Sequence, residues 1–255
     1  MFSKNNTSRQ YLRRQVFWRL SGVSILVATG LFILAGCGGG DGGTTSSRFA
    51  GNYQGVYLNT SPASSQNAGT LVISVTSSGT VTGTTNNTTG GGGTNDFSGT
   101  ITDNGASGSG GTLTTNAVSG PVTENSTTHV FSTTYTQTNG TKGVLNIGLV
   151  PASSPLVGSY SGMFTATTGG PGTTTLTVSS AGAVTGTTVQ AGVTGTISGY
   201  VDTNGNAYLA YKSSAGVPVN TIGAFTVNGI LLTGTLLQSG ADGSSNTITA
   251  SLTKQ

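Results

Sequence analysis

From about residue 49 onward, apolar residues come in short clusters set among threonine, serine and glycine, and no stretch carries an apolar stripe of helical period. Alternation gives the faces. Leu71, Ile73 and Val75 fall on one side of a strand with Val72 opposite, Leu176 and Val178 repeat the pattern, and Phe225 and Val227 alternate with Thr226. Val130, Phe131 and Tyr135 mark a less regular strand. The second half predicts strands over 160–167, 173–179, 182–189, 193–201, 206–212, 221–228, 230–238 and 246–253. Turn signals at Gly170-Pro171-Gly172, Ala181-Gly182, Asn204-Gly205, Asn228-Gly229 and Asp242-Gly243 separate them. The first half follows a similar plan over 53–59, 69–76, 79–85, 97–102, 111–116, 128–136 and 142–149, with a longer loop from Asn86 through Gly93.

Connections this short join antiparallel neighbours, because a parallel crossover needs about a dozen residues or more. The fold class is therefore all-β, in antiparallel meanders. One apolar face per sheet must be covered, and closing each meander into a small up-and-down barrel does so while removing both edges. A β-sandwich per unit, or one large shared sheet, is the alternative.

An internal duplication organises the strands. Gly51-Asn52-Tyr53 returns as Gly158-Ser159-Tyr160, and the run Val75 to Thr85 returns as Val178 to Thr188. Phe97 to Thr102 is matched by Val193 to Ser198, and the turn at Asp103-Asn104-Gly105 by Asp202-Thr203-Asn204-Gly205. The matches keep their order over about 100 residues, so two related units are expected, 49–150 and 156–255.

The start of the chain reads differently. Lys4, Arg9, Arg13, Arg14 and Arg19 precede an uncharged stretch from Leu20 to Ala35, which is the pattern of an export signal. The lone cysteine ends it, in Leu34-Ala35-Gly36-Cys37, and glycines follow directly. These four residues resemble the lipobox of bacterial lipoproteins. The resemblance implies cleavage of a signal peptide, 1–36, before Cys37, attachment of diacylglycerol to its thiol and further acylation, palmitate included, of the new amino terminus. It also implies a lipid-anchored location at the bacterial outer membrane, since Gly38 stands where inner-membrane retention in enteric bacteria uses aspartate. Residues 37–48 read as the lipidated cysteine and a flexible glycine-rich tether.

Removing the leader changes the charge. Of nine basic residues, only Arg48, Lys142, Lys212 and Lys254 lie beyond Cys37, against six acids, so the remainder is net negative and has no basic patch for nucleic acid. One cysteine allows no disulfide within the chain. The duplicated strand plan resembles the small up-and-down barrels of several surface lipoproteins, the transferrin-binding lipoprotein family among them; the likeness is one of pattern and implies no metal or transferrin chemistry. A membrane-spanning barrel fits less well: its strands want about 9–11 residues and aromatic girdles, and aromatics are 7% of this chain.

Candidate chemistry is sparse. His129 is the only histidine, five residues beyond Glu124, and reads as a surface or rim residue. The carboxylates make no catalytic pair, and Asp103 and Asp202 sit at turns where capping explains them. Asp202-Thr203-Asn204-Gly205-Asn206 opens like a calcium loop, but its glycine comes too early and no closing carboxylate follows. No catalytic residue, metal ligand or cofactor is assigned, and the protein is not expected to be an enzyme. The expected function is a membrane-anchored envelope lipoprotein that binds or scaffolds an envelope protein or a glycan; the alternative is a carrier of a small apolar ligand inside a barrel. Tyr53, Tyr160, Tyr200 and Tyr208 are the ligand-binding candidates, drawn from a tyrosine pool that also holds Tyr57, Tyr135 and Tyr211.

Overall fold

The computed structural model describes residues 46–89, 92–103, 110–125, 130–213 and 215–255. The leader, Cys37, most of the tether, part of the 86–93 loop and His129 lie outside the described residues. The first half folds as β1 (Gly51–Ser61), β2 (Asn67–Val75), β3 (Thr80–Asn87), β4 (Thr94–Asp103), β5 (Gly110–Thr115), β6 (Val118–Asn125), β7 (Val130–Gln137) and β8 (Lys142–Leu149). The second folds as β9 (Gly158–Ala166), β10 (Gly170–Val178), β11 (Ala183–Gln190), β12 (Val193–Val201), β13 (Asn206–Lys212), β14 (Pro218–Asn228), β15 (Leu231–Gly240) and β16 (Ser245–Lys254). Each set of eight is a closed antiparallel barrel in which β8 returns to β1, and β16 to β9. Closure, and not a sandwich, covers the apolar faces.

Period-two alternation sorts the side chains. Leu71, Ile73 and Val75 are 4–7% exposed inside the first barrel, whereas Val72 is 40% exposed outside it. Outer positions are filled by residues such as Thr175 and Thr187, whose hydroxyls meet across β10 and β11 at 2.9 Å. An apolar inside and a hydroxyl-rich outside is the reverse of a membrane-spanning barrel. Five aromatic side chains lie directly across a strand pair from a glycine: Tyr57 from Gly69, Phe97 from Gly83, Tyr135 from Gly143, Phe164 from Gly172 and Phe225 from Gly234. A methyl group on any of these glycines would overlap the ring, so the glycines make room for large fillers in a narrow interior.

The two copies share a closure device at one end. Ser47, Phe49, Gly51 and Tyr53 correspond to Ser154, Leu156, Gly158 and Tyr160. Tyr53 donates to the Phe49 carbonyl at 2.9 Å and Tyr160 to the Leu156 carbonyl at 3.0 Å, which holds the Phe49 and Leu156 side chains in the cores. Ser47 N–H reaches Ser77 O, and Ser154 N–H reaches Ser180 O, each at 2.7 Å. Gly79 and Gly182, with φ of +81° and +80°, make the left-handed step of equivalent hairpin turns.

Three details differ from the sequence reading. β6 falls outside the strands expected from the sequence; its ladder to β7 keeps register across Gly120 and Pro121 but pairs neither. Gly170-Pro171-Gly172 is the start of β10 and not a break, since Pro171 stands beyond the end of the β10–β11 ladder, where no N–H is needed. The third sequence match is shifted. Ile101 N–H bonds Gly79 O at 2.8 Å and Val201 N–H bonds Gly182 O at 2.7 Å, so Gly99-Thr100-Ile101 corresponds to Gly199-Tyr200-Val201 and not to Gly195-Thr196-Ile197. Two Gly-x-apolar triplets in β12, Gly195-Thr196-Ile197 and Gly199-Tyr200-Val201, allow either alignment, and only pairing to the previous hairpin decides.

Both barrels belong to one compact unit. Val56, Leu58 and Ala68 point out of the first barrel and are buried against Tyr208, Ala210 and Ala241 of the second. Gln54 Nε2 donates to Ala181 O and Val201 O, each at 3.2 Å, and Gln66 Nε2 donates to Ala241 O at 2.8 Å.

Candidate functional site

The end of the first barrel opposite Phe49 is hollow. Its cavity measures about 480 Å³, within the roughly 300–1,000 Å³ usual for small-molecule sites. The wall is built by strand ends. β1 contributes Tyr57 and Asn59, β2 Asn67, β3 Thr85 and Asn87, β4 Asn95, and β7 Tyr135 and Gln137. Leu71, Ile73, Phe97, Leu113 and Leu145 line the apolar part.

The amides are tied to one another. Asn59 is 5% exposed; its Oδ1 accepts from the Tyr135 hydroxyl and from Gln137 Nε2 at 3.4 Å, while its Nδ2 donates to Asn67 Oδ1 at 3.1 Å. Asn67 Nδ2 donates onward to Ser65 O at 3.3 Å. Burial pushes the Tyr57 hydroxyl up to about 12 and raises Tyr135 further, with Tyr57 beside it as the second cause. Both therefore stay protonated at neutral pH. Asp96 is the one charged residue at the cavity among the described residues; it is exposed, and its carboxylate accepts from Thr84 Oγ1 at 2.9 Å.

The second barrel tests which of these residues the fold itself requires. The cross-strand pair Asn59–Asn67 corresponds to Ala166–Gly170, and Thr85–Asn95 corresponds to Thr188–Gly195. The space left among Phe164, Thr174, Tyr211 and Phe225 is about 40 Å³. Barrel closure thus proceeds without the amide ring.

The four candidate tyrosines sit elsewhere. Tyr53 and Tyr160 are buried in the closure device, and Tyr53 is pushed up to about 12 by burial and by the charge of Glu124. Tyr208 is fully buried between the barrels and donates to Asp202 Oδ2 at 3.0 Å. Tyr200 is half-buried, with its hydroxyl close to Thr70 across the same interface. The mouth is lined instead by Tyr57 and Tyr135, with amides that sequence reasoning passed over. The available signal was phase: Asn59 shares the inward parity of Tyr53 and Tyr57, and Asn67 that of Leu71 and Ile73.

The turn acids have separate roles. Asp202 Oδ1 accepts the Asn204 and Asn206 N–H groups at 2.8 and 2.9 Å, and Asp103 pairs with Arg48 at 3.1 Å. Among the described residues no three His, Cys, Asp or Glu side chains gather as a metal site. Nor is any helix among them long and apolar enough to cross a membrane.

Fold and site together define a double-barrel all-β protein with a ligand-sized mouth in the first barrel. No family model matches the chain, and no curated protein matches it. Among solved structures, it is similar to the crystal structure of isotype 1 transferrin binding protein B from serogroup B Neisseria meningitidis, at 11% identity and a TM-score of 0.31. The alignment covers 82% of this chain and 58% of that one, so the chain spans under two thirds of its length. A likeness at that level carries no function to this chain.

Proposed function

We propose that this protein is a non-enzymatic binding lipoprotein of the bacterial envelope, held to the outer membrane through acylated Cys37, with its ligand in the mouth of the first barrel. Residues 1–36 are its signal peptide, 37–48 its anchor and tether, and 49–150 and 156–255 its two barrel units. The observation that carries the binding role is the cavity of about 480 Å³ in the first copy of a duplicated barrel, beside a space of about 40 Å³ among Phe164, Tyr211 and Phe225 of the second. The lining supports binding over catalysis: amides and high-pKa phenols hold their protons at neutral pH and offer directed hydrogen bonds. The leader and lipobox support the anchor.

Two measurements test it. Native mass spectrometry of the full-length protein, extracted in detergent from its own membranes, is expected to show a retained small molecule that Ala117→Trp excludes, because Ala117 lines the cavity. A protein bare in every preparation and not stabilised by any added compound refutes the binding role. Cys37→Ala is expected to abolish fatty-acid labelling and to leave the precursor uncleaved; persistent labelling refutes the anchor. The apolar residues of the cavity favour one second reading, an apolar ligand, and the same spectra would show it as a bound acyl chain.

A further inference from the structure

Resting on the binding role above, we infer that the mouth of the first barrel takes a neutral sugar. Amides and hydroxyls dominate its polar lining, and an amide both donates and accepts, as a sugar hydroxyl does. Among the described residues no lysine or arginine lines it, so an acidic ligand would meet no counter-charge there, and Asp96 adds a negative one at the lip.

The ring is set before a ligand arrives. Asn59 Oδ1 takes two bonds, from Tyr135 and Gln137, and its Nδ2 reaches Asn67, so three side chains from β2 and β7 are oriented by one buried amide on β1. Such preorganisation lowers the ordering cost of binding. The amide of Asn95, exposed at the lip, makes no bond among the described residues, and Gln137 Oε1 likewise remains for a ligand. Phe97 and Tyr57 bring aromatic surface to the same space, where the C–H face of a pyranose can pack while its hydroxyls meet the amides.

The duplicate barrel strengthens the inference. Its packing of Phe164 against Gly172, as of Tyr57 against Gly69, and its closure device are kept, yet Ala166, Gly170 and Gly195 stand where Asn59, Asn67 and Asn95 stand in the first copy. The amides are therefore an addition to the scaffold and not a condition of it. An acyl chain in their place would take water from them without returning hydrogen bonds.

The test uses the full-length detergent-solubilised protein on an array of neutral hexose- and N-acetylhexosamine-terminated glycans beside sialylated and uronate-bearing ones, with cis-parinaric acid as the apolar probe. Neutral glycans are expected to bind, in competition with the free neutral monosaccharide. Asn95→Ala and Gln137→Ala are each expected to weaken binding about three- to tenfold, with circular dichroism unchanged. Gln190→Ala, on the second barrel, is expected to change nothing. Preference for acidic glycans, or parinaric acid bound with the array silent, overturns the sugar assignment and leaves the binding role standing. Silence in every arm, with no small molecule in the native spectra, removes both.

Discussion

Gly148 on β8 faces out of the first barrel toward Asp202 and Tyr208 of the second. A methyl group there would stand 2.7 Å from both Asp202 Oδ2 and the Tyr208 hydroxyl, and 2.8 Å from Asp202 Cβ. Comfortable contact is about 3.5 Å or more, so something must move by about 0.7 Å. Neither neighbour can swing into water: Asp202 is 1% exposed, Tyr208 is fully buried, and Asp202 Oδ2 already holds Asn206 Nδ2 at 2.7 Å and Tyr208 at 3.0 Å. Breaking a hydrogen bond to a charged group costs about 1.5–3 kcal/mol, and relief by forcing the barrels apart costs about 1–3 kcal/mol as overpacking. These are alternative routes to one relief, so Gly148→Ala is expected to destabilise the protein by about 2–3 kcal/mol. With a urea slope of about 2 kcal/mol/M, the unfolding midpoint falls by about 1–1.5 M. Tyr208→Phe removes the obstructing hydroxyl, and in that background the glycine substitution should cost at least about 1 kcal/mol less. A midpoint shift under about 0.2 M, or strict additivity in the double variant, would refute the account of this interface.

Two further outcomes can be measured. Ala191 has a φ of +50° in the two-residue turn Ala191-Gly192, so Ala191→Asn, which tolerates the left-handed region, should raise stability by about 1 kcal/mol in urea titration; a lower midpoint would contradict the turn geometry. Tyr53 and Tyr57 are held near 12, whereas an unfolded tyrosine ionises near 10. Between those values the unfolded chain binds fewer protons, so this contribution is intact below about pH 10 and lost as pH rises toward about 12. Urea midpoints followed with phenolate absorbance should fall over that window, and a flat profile would show the two phenols to be solvated.

Strand alternation fixed which side of each strand seeks an interior: Leu71, Ile73 and Val75 against Val72 come directly from the period of two. Short Gly-containing connections then dictated antiparallel neighbours, and the duplicated Gly-x-Tyr segments marked two units. These are local consequences of backbone geometry, and they are readable residue by residue. The candidate site was less legible. Tyr53, Tyr160 and Tyr208 have the same composition signal as Tyr57 and Tyr135, and only their depth along the barrel or side of the wall separates a core filler from a cavity wall. Asn59 and Asn67 carry no motif because their spacing reflects a hairpin register, set by the ladder between β1 and β2.

Closure is the step that the linear chain does not encode locally. It brings β8 to β1 and places β7 amide Gln137 beside Asn59 across 78 positions. The hollow mouth likewise depends on a few inward positions whose effects meet only when eight strands share one axis. The sequence by itself determined an all-β duplicated chain with a lipoprotein leader pattern; tertiary structure alone decided the ring of amides, because cavity walls are made by residues distant in sequence and equal in depth.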